Sequence, residues 1–453
     1  MTAGTKGPST TTTSHGNEDQ QWPNSNYAWY VTWLLMVLYM FSFVDRTIIV
    51  LLIEPIKRDL HLTDTHVSLL YGFAFAVFYT FLGIPIARLA DYKNRRSIIA
   101  VGVLIWSAMT CLCGLARSFG QLFIARVGVG VGEAALSPAA YSLIADYFPE
   151  EKRAKAMSVY TLGLYLGAGM ALILGGMVIE LIDNLGTISL PLVGQLYSWQ
   201  VAFIAVGLPG VLFFLLMFTV REPARQGVSA SDKAVIPLGE AVGWFAQRWR
   251  FYASFCTAMA CLVMYSYSLT AWTPSFFIRT YGWTTLEISR YYGLVMLVFG
   301  PGGILVGGWW ASRRMAEGDT LANIRMAIIC FAGLVIPAAT MSLVGDPWHA
   351  LGLVAVVKFL SGLPLGVAMA AMHEVTPNRL RAQAAAFYLF TINILGLGLG
   401  PTLVALLTDY VFADPAALRY SLAIIGPVSS CLGLVLSVYA MRQFRKLRLS
   451  RWE

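Results

Sequence analysis

Five ionisable residues lie within long apolar segments of the sequence: Asp45, Arg46, Arg126, Glu133 and Lys358. A charge at the centre of a bilayer costs at least ~2.5 kcal/mol on insertion scales, so such residues usually face a cavity and serve a function. Arg126 and Glu133 are seven residues apart, about two helical turns, which places both on one helix face. These residue types predict a buried site that can bind a proton on a carboxyl group and an anion on a cation.

The segments that carry these residues have the composition of membrane-spanning helices. The chain has 453 residues, of which 57% are apolar and 12% charged, whereas soluble domains carry about 25% charged residues. Apolar runs of roughly 20 residues can cross a ~30 Å hydrocarbon core as helices. We therefore predict an all-α integral membrane protein with twelve transmembrane helices, at 28–53, 66–87, 97–117, 119–147, 154–180, 197–220, 251–277, 286–312, 321–343, 347–375, 382–411 and 416–441.

The distribution of basic residues predicts the orientation of these helices. Most of the 32 Lys and Arg fall on the side of the two termini, and Lys57, Arg58, Arg117, Arg279, Arg290 and Arg419 fall on the other. The positive-inside rule then places both termini in the cytoplasm, in a multi-pass protein of the cell (inner) membrane. The net charge of +8 is thus a topology signal. It favours contact of the C-terminal tail with anionic lipid headgroups over binding to nucleic acid.

An internal repeat divides the chain into two halves. Residues 53–72 align with 274–293, matching Thr63 to Thr284 and Gly72 to Gly293, and DYFPEEKRAKA (146–156) aligns with EVTPNRLRAQA (374–384). Parallel repeats of this kind are typical of secondary transporters. We predict two pseudo-symmetric six-helix bundles, with these divisions: a disordered cytoplasmic tail (1–27), the N-terminal bundle (28–220), a cytoplasmic linker (221–250), the C-terminal bundle (251–441) and a basic cytoplasmic tail (442–453).

Several motifs resemble those of a known family. ARLADYKNRR (87–96) resembles the loop 2–3 signature GxLADRxGRR of the major facilitator superfamily, and RVGVGVGEA (126–134) resembles its fourth-helix signature RxxxGxGEA. Together with VDR in the first helix, they look most like the bacterial spinster-like branch. The resemblance implies a transporter with two six-helix bundles, and it implies lysophospholipid or sphingoid phosphate as the substrate class.

The resemblance and the buried charges together give a hypothesis for coupling. Burial favours the protonated form of a carboxyl group, and a nearby Arg favours the ionised form. We expect Asp45 and Glu133 to carry a proton while Arg46 switches between a carboxylate and an anionic substrate, by rocker-switch alternating access. The matching residues of the spinster-like family are associated with proton coupling. The alternative is a static salt bridge that holds helix 1 against helix 4.

The substrate-binding predictions rest on cations and aromatic residues near the centre of the membrane. Arg46, Arg126 and Lys358 could bind a phosphate or carboxylate, and Tyr265, Tyr267 and Trp272 of helix 7 could line the cavity. Arg126 could instead cap helix carbonyl groups, Lys358 could extend its amine to the interface, and the aromatic residues could simply pack. The runner-up function is a proton symporter for sugar acids or other small organic anions.

Charged residues in the loops of the two halves predict a gate on the cytoplasmic side. The residues are Asp91, Arg95, Arg96, Asp146 and Arg153 in the first half, with Glu374 and Arg381 in the second. We expect ion-pair latches among them that hold the outward-facing state. Exposed ion pairs are worth only ~0 to 1 kcal/mol each, so several are needed to bias a conformational equilibrium. The alternative is that these charges only set the topology.

Other functional classes have little support in the sequence. HExxH and GxSxG motifs do not occur, so we expect no enzyme activity and no cofactor. The six Cys residues lie within apolar runs without zinc or disulfide spacing, so no metal site is expected. The repeat and the buried charges disfavour a channel. We expect a monomer whose partners are its substrate, protons and membrane lipids.

Overall fold

A computed structural model of the protein describes residues 22–184, 188–190, 194–225 and 238–449. Eleven helices of the described residues are long and apolar enough to cross a membrane. The remaining predicted span is present as the shorter helix Pro347–Gly362, followed after a turn by Ala368–Val375. The prediction of an all-α membrane protein is confirmed.

The spans are numbered in chain order. Spans 1 to 6 form the N-terminal bundle: Ser25–Leu51, Asp64–Ala90, Arg95–Cys113, Phe119–Tyr147, Glu151–Asn184 and Ser198–Thr219. Spans 7 to 12 form the C-terminal bundle: Trp249–Tyr281, Thr285–Ala316, Ala322–Thr340, Pro347–Gly362 with Ala368–Val375, Gln383–Phe412 and Pro415–Arg448. Short elements between spans are the helix Ile53–Leu60, a hairpin of strands Ile188–Leu190 and Gly194–Leu196, and the helix Leu238–Gln247.

Two of the predicted connecting segments contain more helix than expected. The linker includes the helix Leu238–Gln247, and residues 226–237 lie outside the described part of the chain. The last helix continues to Leu449, so most of the predicted basic tail extends span 12. Most of the predicted N-terminal tail, residues 1–21, also lies outside the described residues.

Two proline residues interrupt spans that the sequence suggested to be continuous. Span 4 has a break at Ala134 and Ala135, just before a helix that starts at Leu136 and contains Pro138. Span 10 is interrupted by the turn 363–367, which contains Pro364. Proline has no backbone N–H to donate, and its ring clashes with the carbonyl group four residues earlier. The break in span 4 follows immediately after Glu133.

The two bundles meet along spans 5 and 8 and along spans 2 and 11. Span 2 contains a π-helical segment, Leu69–Phe73, and span 11 contains a π-helical segment, Ile392–Gly398. Gly72 lies at this crossing, where a Cβ atom would be 2.6 Å from the carbonyl oxygen of Leu397. A residue without a side chain therefore allows the two backbones to touch.

We call the side of the protein that carries both ends of the described chain the terminal face. On this side the hydroxyl of Tyr27 donates to the carbonyl of Thr219 at 2.7 Å, and the amide of Arg221 donates to the Tyr27 hydroxyl at 2.8 Å. The opposite face carries the helix Ile53–Leu60 and the short hairpin, whose Gln195 carbonyl accepts from Arg117 at 3.2 Å.

Candidate functional site

The centre of the N-terminal bundle contains a buried ion pair between spans 1 and 4. Nη2 of Arg46 lies 2.6 Å from Oε2 of Glu133, and both side chains are almost completely buried. Since span 4 breaks directly after Glu133, this carboxylate lies at the end of a helical segment. The second oxygen, Oε1, has no hydrogen-bond partner among the described residues. The pair is therefore only partly satisfied, and Glu133 has capacity to accept a proton.

Asp45 and Arg126 complete a quartet of charges around this pair. Nη1 of Arg126 donates to the backbone carbonyl of Asp45 at 3.2 Å, which joins spans 4 and 1 a second time. The hydroxyl of Thr110 and the indole of Trp106 lie beside the carboxylate of Asp45. Within the described part of the chain, no contact of this carboxylate, or of Nε and Nη2 of Arg126, has the geometry of a full hydrogen bond. An unpaired polar atom in a low-dielectric interior is costly, so these groups would gain from an additional partner such as a proton or a ligand.

The quartet balances two guanidinium groups against two carboxyl groups. Asp45 and Arg46 are adjacent on span 1, and their side chains point about 100° apart. Arg46 pairs with Glu133 through its side chain, whereas Asp45 contacts Arg126 through its backbone carbonyl. The predicted coupling residues Asp45, Arg46 and Glu133 are thus brought together, with Arg126 as their buried neighbour.

Aromatic rings surround the guanidinium of Arg46. Its Cζ lies 4.1 Å from the ring centroid of Phe75, 4.6 Å from that of Phe43 and 5.3 Å from that of Tyr79. A cation over an aromatic face gains ~0.5 kcal/mol at exposed sites and ~2 kcal/mol or more when desolvated. Span 2 therefore contributes two of the three rings that hold this cation in place.

Lys358 provides a second buried cation in the C-terminal bundle. Its Nζ donates to the carbonyl of Ser266 at 3.1 Å and to the hydroxyl of Thr270 at 2.9 Å, and it lies 5.9 Å from the ring centroid of Tyr292. These partners are neutral, and the side chain is only 4% exposed. Lys358 therefore does not extend to the interface, and its charge has only dipolar partners in these contacts.

The aromatic residues of span 7 separate into two groups. Trp272 is fully buried, and its indole N–H donates to the carbonyl of Pro401 at 2.9 Å. Tyr265 is also buried, beside Gly426 of span 12. Tyr267 is half-buried instead. Trp272 and Tyr265 therefore pack within the C-terminal bundle in this conformation, whereas Tyr267 remains available to a cavity.

A group of charged residues that the sequence did not single out joins the two bundles at the opposite face. Arg279 of span 7 binds both oxygens of Asp64 of span 2 at 2.7 Å, and it binds Glu54 at 2.8 Å. Lys57 also pairs with Asp64. We refer to Glu54, Lys57, Asp64 and Arg279 as the opposite-face cluster. Bidentate Arg–carboxylate pairs are strong and geometrically specific.

A second contact lies beside the opposite-face cluster. The carboxylate of Asp409 accepts from the amide of Thr65 at 2.6 Å and from its hydroxyl at 2.7 Å. Asp409 belongs to span 11 and Thr65 to span 2, so this contact also links the bundles. The two bundles are therefore held together by charged side chains at the opposite face.

Among the predicted gate residues at the terminal face, Arg95 and Asp146 pair within the first half. Arg95 is buried and binds Asp146 and Glu222, the latter at 2.7 Å, and the amide of Arg96 donates to Glu222 at 3.1 Å. Arg153 is half-buried on span 5. The side chain of Asp91 lies outside the described residues.

The second half repeats this pattern at the terminal face. Glu374 accepts from Asn323 at 2.6 Å and lies 3.6 Å from Arg448 of span 12. Arg381 is exposed at the start of the helix Arg381–Thr391. We expect the latches in the outward-facing state. In the conformation described here, the contacts of Arg95 and Glu374 do not join the two halves, so the latches remain a prediction.

The sequence contained a signal for one of the two features that were missed. Asp64 and Arg279 both lie in the repeated segments 53–72 and 274–293, where charges in loops of opposite halves could have suggested a contact. Glu222 follows the last apolar residue of span 6, and its pairing with Arg95 depends on the fold of the linker. A sequence pattern alone has no information about that fold.

Comparison with known proteins agrees with this architecture. A solved structure of a bacterial homologue of the human lysosomal transporter Spinster, in an inward-facing and unoccupied conformation, superposes with a TM-score of 0.79. It is 26% identical in sequence, and the match covers 95% of this chain and 100% of that one. An MFS-type efflux pump of Mycolicibacterium smegmatis is 28% identical over 92% of this chain and 94% of its own length. A hexuronate transporter of Bacillus subtilis is 22% identical over 88% and 96%.

The family assignment follows from a match that covers most of the chain. Residues 35–401 match the Major Facilitator Superfamily, from span 1 into span 11. The proteins of this family are transporters and not enzymes, in agreement with the sequence prediction. The two six-helix bundles, the buried charges between spans 1 and 4 and this match identify the chain as a multi-pass membrane transporter of the Major Facilitator Superfamily.

Proposed function

We propose that the protein is a proton-coupled secondary transporter of an amphiphilic anion, such as a lysophospholipid or a sphingoid phosphate. The observation that carries this proposal is the partly satisfied ion pair of Arg46 and Glu133, buried beside Asp45 and Arg126. A static salt bridge would be expected to satisfy its buried polar atoms. The unpaired oxygens of Glu133 and Asp45 instead suit groups that gain and lose protons.

Proton uptake and anion binding are coupled through Arg46 in this mechanism. When Glu133 binds a proton, its attraction for Arg46 weakens, and the guanidinium becomes free to bind an anionic substrate. When the substrate leaves, Arg46 returns to Glu133 and favours loss of the proton. A moving cation therefore links the two ligands without a direct contact between them.

The surroundings of the two central cations support an amphiphilic substrate. Arg46 is enclosed by Phe43, Phe75 and Tyr79, and Lys358 has only neutral hydrogen-bond partners. Aromatic walls with a few cations suit a ligand with an anionic head and an apolar tail. In this proposal Arg46 and Lys358 bind the anionic head of the substrate, one from each bundle. Tyr267 lines the substrate path between the bundles. Arg126 acts indirectly, through the backbone of Asp45.

The arrangement of contacts between the bundles supports an inward-facing assignment of this conformation. The opposite-face cluster closes one side, while Arg95 and Glu374 bind partners in their own halves on the other. We assign the terminal face to the cytoplasm of a cell whose inner membrane holds the protein, because most basic residues lie there. In the outward-facing state Asp91, Arg95, Arg96, Asp146 and Arg153 would approach Glu374 and Arg381 and form the cytoplasmic latch.

Proton flux in liposomes tests the coupling site. Glu133→Gln removes the proton-binding group and retains the size of the side chain, so substrate-driven acidification, read with an internal pH-sensitive dye, should be lost. Glu180→Gln is the matched control, because Glu180 is exposed near the end of span 5, and it should keep wild-type flux. Substrate-coupled acidification that persists in Glu133→Gln would show that Glu133 is not the coupling residue.

The second candidate function is proton-coupled transport of a sugar acid or another small organic anion. Its specific support is the hexuronate transporter of Bacillus subtilis among the relatives. The substrates of the two candidate functions differ in the length of their apolar tail. Uptake that long-chain lysolipids inhibit and hexuronates do not would favour the amphiphile, and the reverse result would favour the sugar acid.

A further inference from the structure

A cavity of about 390 Å³ lies on the outside of the N-terminal bundle, away from the charged quartet, between spans 2, 3 and 4. Its volume is within the ~300–1,000 Å³ that ligand sites usually occupy. The buried floor is formed by Gly102, Gly132 and Ala135, and the mouth by Lys93, Asn94 and Ser97, which are exposed at the terminal face. The lining between floor and mouth is aliphatic.

Small residues create the floor of this cavity. A Cβ atom on Gly102 would lie 2.7 Å from the Cβ of Ala135 and 2.8 Å from the carbonyl oxygen of Gly132. Spans 3 and 4 therefore touch at this level. The space between the floor and the loop that joins spans 2 and 3 is left open.

The cavity faces the bilayer. Val101 is 53% exposed, and Leu104 and Leu112 are also exposed on span 3 at spacings of one helical face. In a membrane protein this face contacts lipid hydrocarbon. An aliphatic cavity that opens there takes up an acyl chain more readily than water, because its walls offer water no hydrogen-bonding groups.

The mouth has the charge that an acidic headgroup requires. The segment 87–96, ARLADYKNRR, carries four basic residues and one acid, and the guanidinium of Arg225 binds the carbonyl groups of Ala90 and Lys93 at 2.9 and 3.0 Å. Asn94 caps span 3, so the positive end of that helix also lies at the mouth. Glu222, the nearby acid, is paired with Arg95.

We propose that this cavity holds one acyl chain of an anionic diacyl phospholipid from the surrounding bilayer, with the lipid phosphate at Lys93 and Ser97. The chain extends from the terminal face to Gly132, the residue before Glu133. A bound lipid therefore supports the broken part of span 4 from behind. This inference does not depend on which substrate the protein transports.

Photocrosslinking of the full chain in liposomes tests the site. The probe is phosphatidylglycerol with a photoreactive group in the middle of one acyl chain, and labelled residues are mapped by mass spectrometry. Labelling should concentrate on Val101, Ile105 and Val131. Ile98→Trp fills the cavity and should reduce this labelling roughly tenfold, while Leu104→Trp, on the same helix outside the cavity, should leave it unchanged.

A second variant tests the headgroup and does not alter the apolar packing. Lys93→Gln should abolish the preference for phosphatidylglycerol over phosphatidylcholine as a competitor, and Lys152→Gln, an exposed lysine at the same face, should retain it. Three results would overturn the proposal: labelling spread evenly over the bilayer-facing surface, an unchanged preference in Lys93→Gln, or stronger competition by a lysophospholipid than by phosphatidylglycerol. The last result would assign the cavity to a single-chain amphiphile.

Discussion

At the scale of single residues, the position of Arg46 determines what the central site can do. The guanidinium has one carboxylate partner, Glu133, and three aromatic neighbours, and its Nε has no partner within the described residues. Planar guanidinium groups stack on aromatic rings and bind oxyanions in a forked geometry, which an ammonium group does not do. We therefore expect the site to require more than a positive charge at this position.

Arg46→Lys tests this requirement. The charge is retained, but stacking on Phe75 and the capacity to bind an oxyanion with a fork of hydrogen bonds are lost, so we expect a transport rate roughly tenfold lower, equivalent to about 1.4 kcal/mol. The thermal unfolding midpoint should change little. Arg88→Lys, at an exposed position on span 2, is the control and should transport normally. A wild-type rate in Arg46→Lys would mean that the charge alone is sufficient.

The sequence identified the central residues because charges in apolar segments are rare. It predicted one cavity with five such residues, and the structure brings four of them together: Asp45, Arg46, Arg126 and Glu133. The fifth, Lys358, lies in the C-terminal bundle against Ser266 and Thr270. It did not separate Tyr267 from Tyr265 and Trp272, because all three lie on one helix at short spacings. Which of them packs and which faces a cavity depends on how span 7 is rotated against spans 11 and 12.

At the scale of helices, the crossing of spans 2 and 11 brings the two bundles into backbone contact at a glycine. The crossing combines Gly72 with π-helical segments in both spans. Single-turn π segments are rare in helices and frequently occur at functional sites. The local geometry therefore suits a position where two helices move against each other.

Gly72→Ala should disturb this crossing. The added methyl group would lie 2.6 Å from the backbone oxygen of Leu397, which cannot move aside as a side chain can. Overpacking of a buried site costs roughly 1–3 kcal/mol, so the midpoint of thermal unfolding should fall. Gly83→Ala is a matched control on the same span, because no described atom beyond its own helix neighbours lies within 4 Å of the new Cβ position. Equal midpoints for the two variants would contradict the close contact.

Helix positions followed from hydropathy, whereas helix interruptions did not. The spans were predicted within a few residues, except for the end of span 12, which runs to Arg448 where 441 was expected. An apolar run of sufficient length has few alternatives in a membrane. The breaks after Glu133 and at 363–367 were missed, although Pro138 and Pro364 are visible in the sequence. Proline can kink a membrane helix or interrupt it, and neighbouring helices decide between the two.

At the scale of the whole molecule, the two halves use the same aligned position differently. Arg58 and Arg279 correspond in the repeat, yet the side chain of Arg58 is 76% exposed beside Asp59, whereas Arg279 is buried in the opposite-face cluster. The repeat therefore predicted the fold of both halves but not the contact between them. The contact forms at Arg279, because this arginine has a carboxylate partner in the other bundle, Asp64.

Arg279→Gln should release the opposite face. Complete loss of the partner of a buried charge costs roughly 3–5 kcal/mol, and the cost here is smaller because Lys57 stays paired with Asp64. In this protein the bundles can separate and hydrate Asp64, so the population should shift toward a state that is open at this face. Spin labels at His61 and Ala416, in a background in which the exposed Cys431 is replaced by Ser, would report longer distances between the bundles.

The repeat supplies the control for this experiment. Arg58→Gln removes the same charge at the aligned position of the first half and should leave the distance distribution unchanged. If both variants gave the wild-type distribution, the opposite-face cluster would have no role in holding the bundles together.

The equal numbers of guanidinium and carboxyl groups in the quartet have a consequence for the energy source of the cycle. In the cycle that we propose, a proton that binds to Asp45 or Glu133 gives the quartet one net positive charge, which a singly charged anion neutralises. One proton and one monoanion together then carry no net charge across the bilayer. The membrane voltage, which contributes about 2.3 kcal/mol per charge per 100 mV, would do no work on such a cycle. Transport with this stoichiometry would be driven by the pH gradient and the substrate gradient alone.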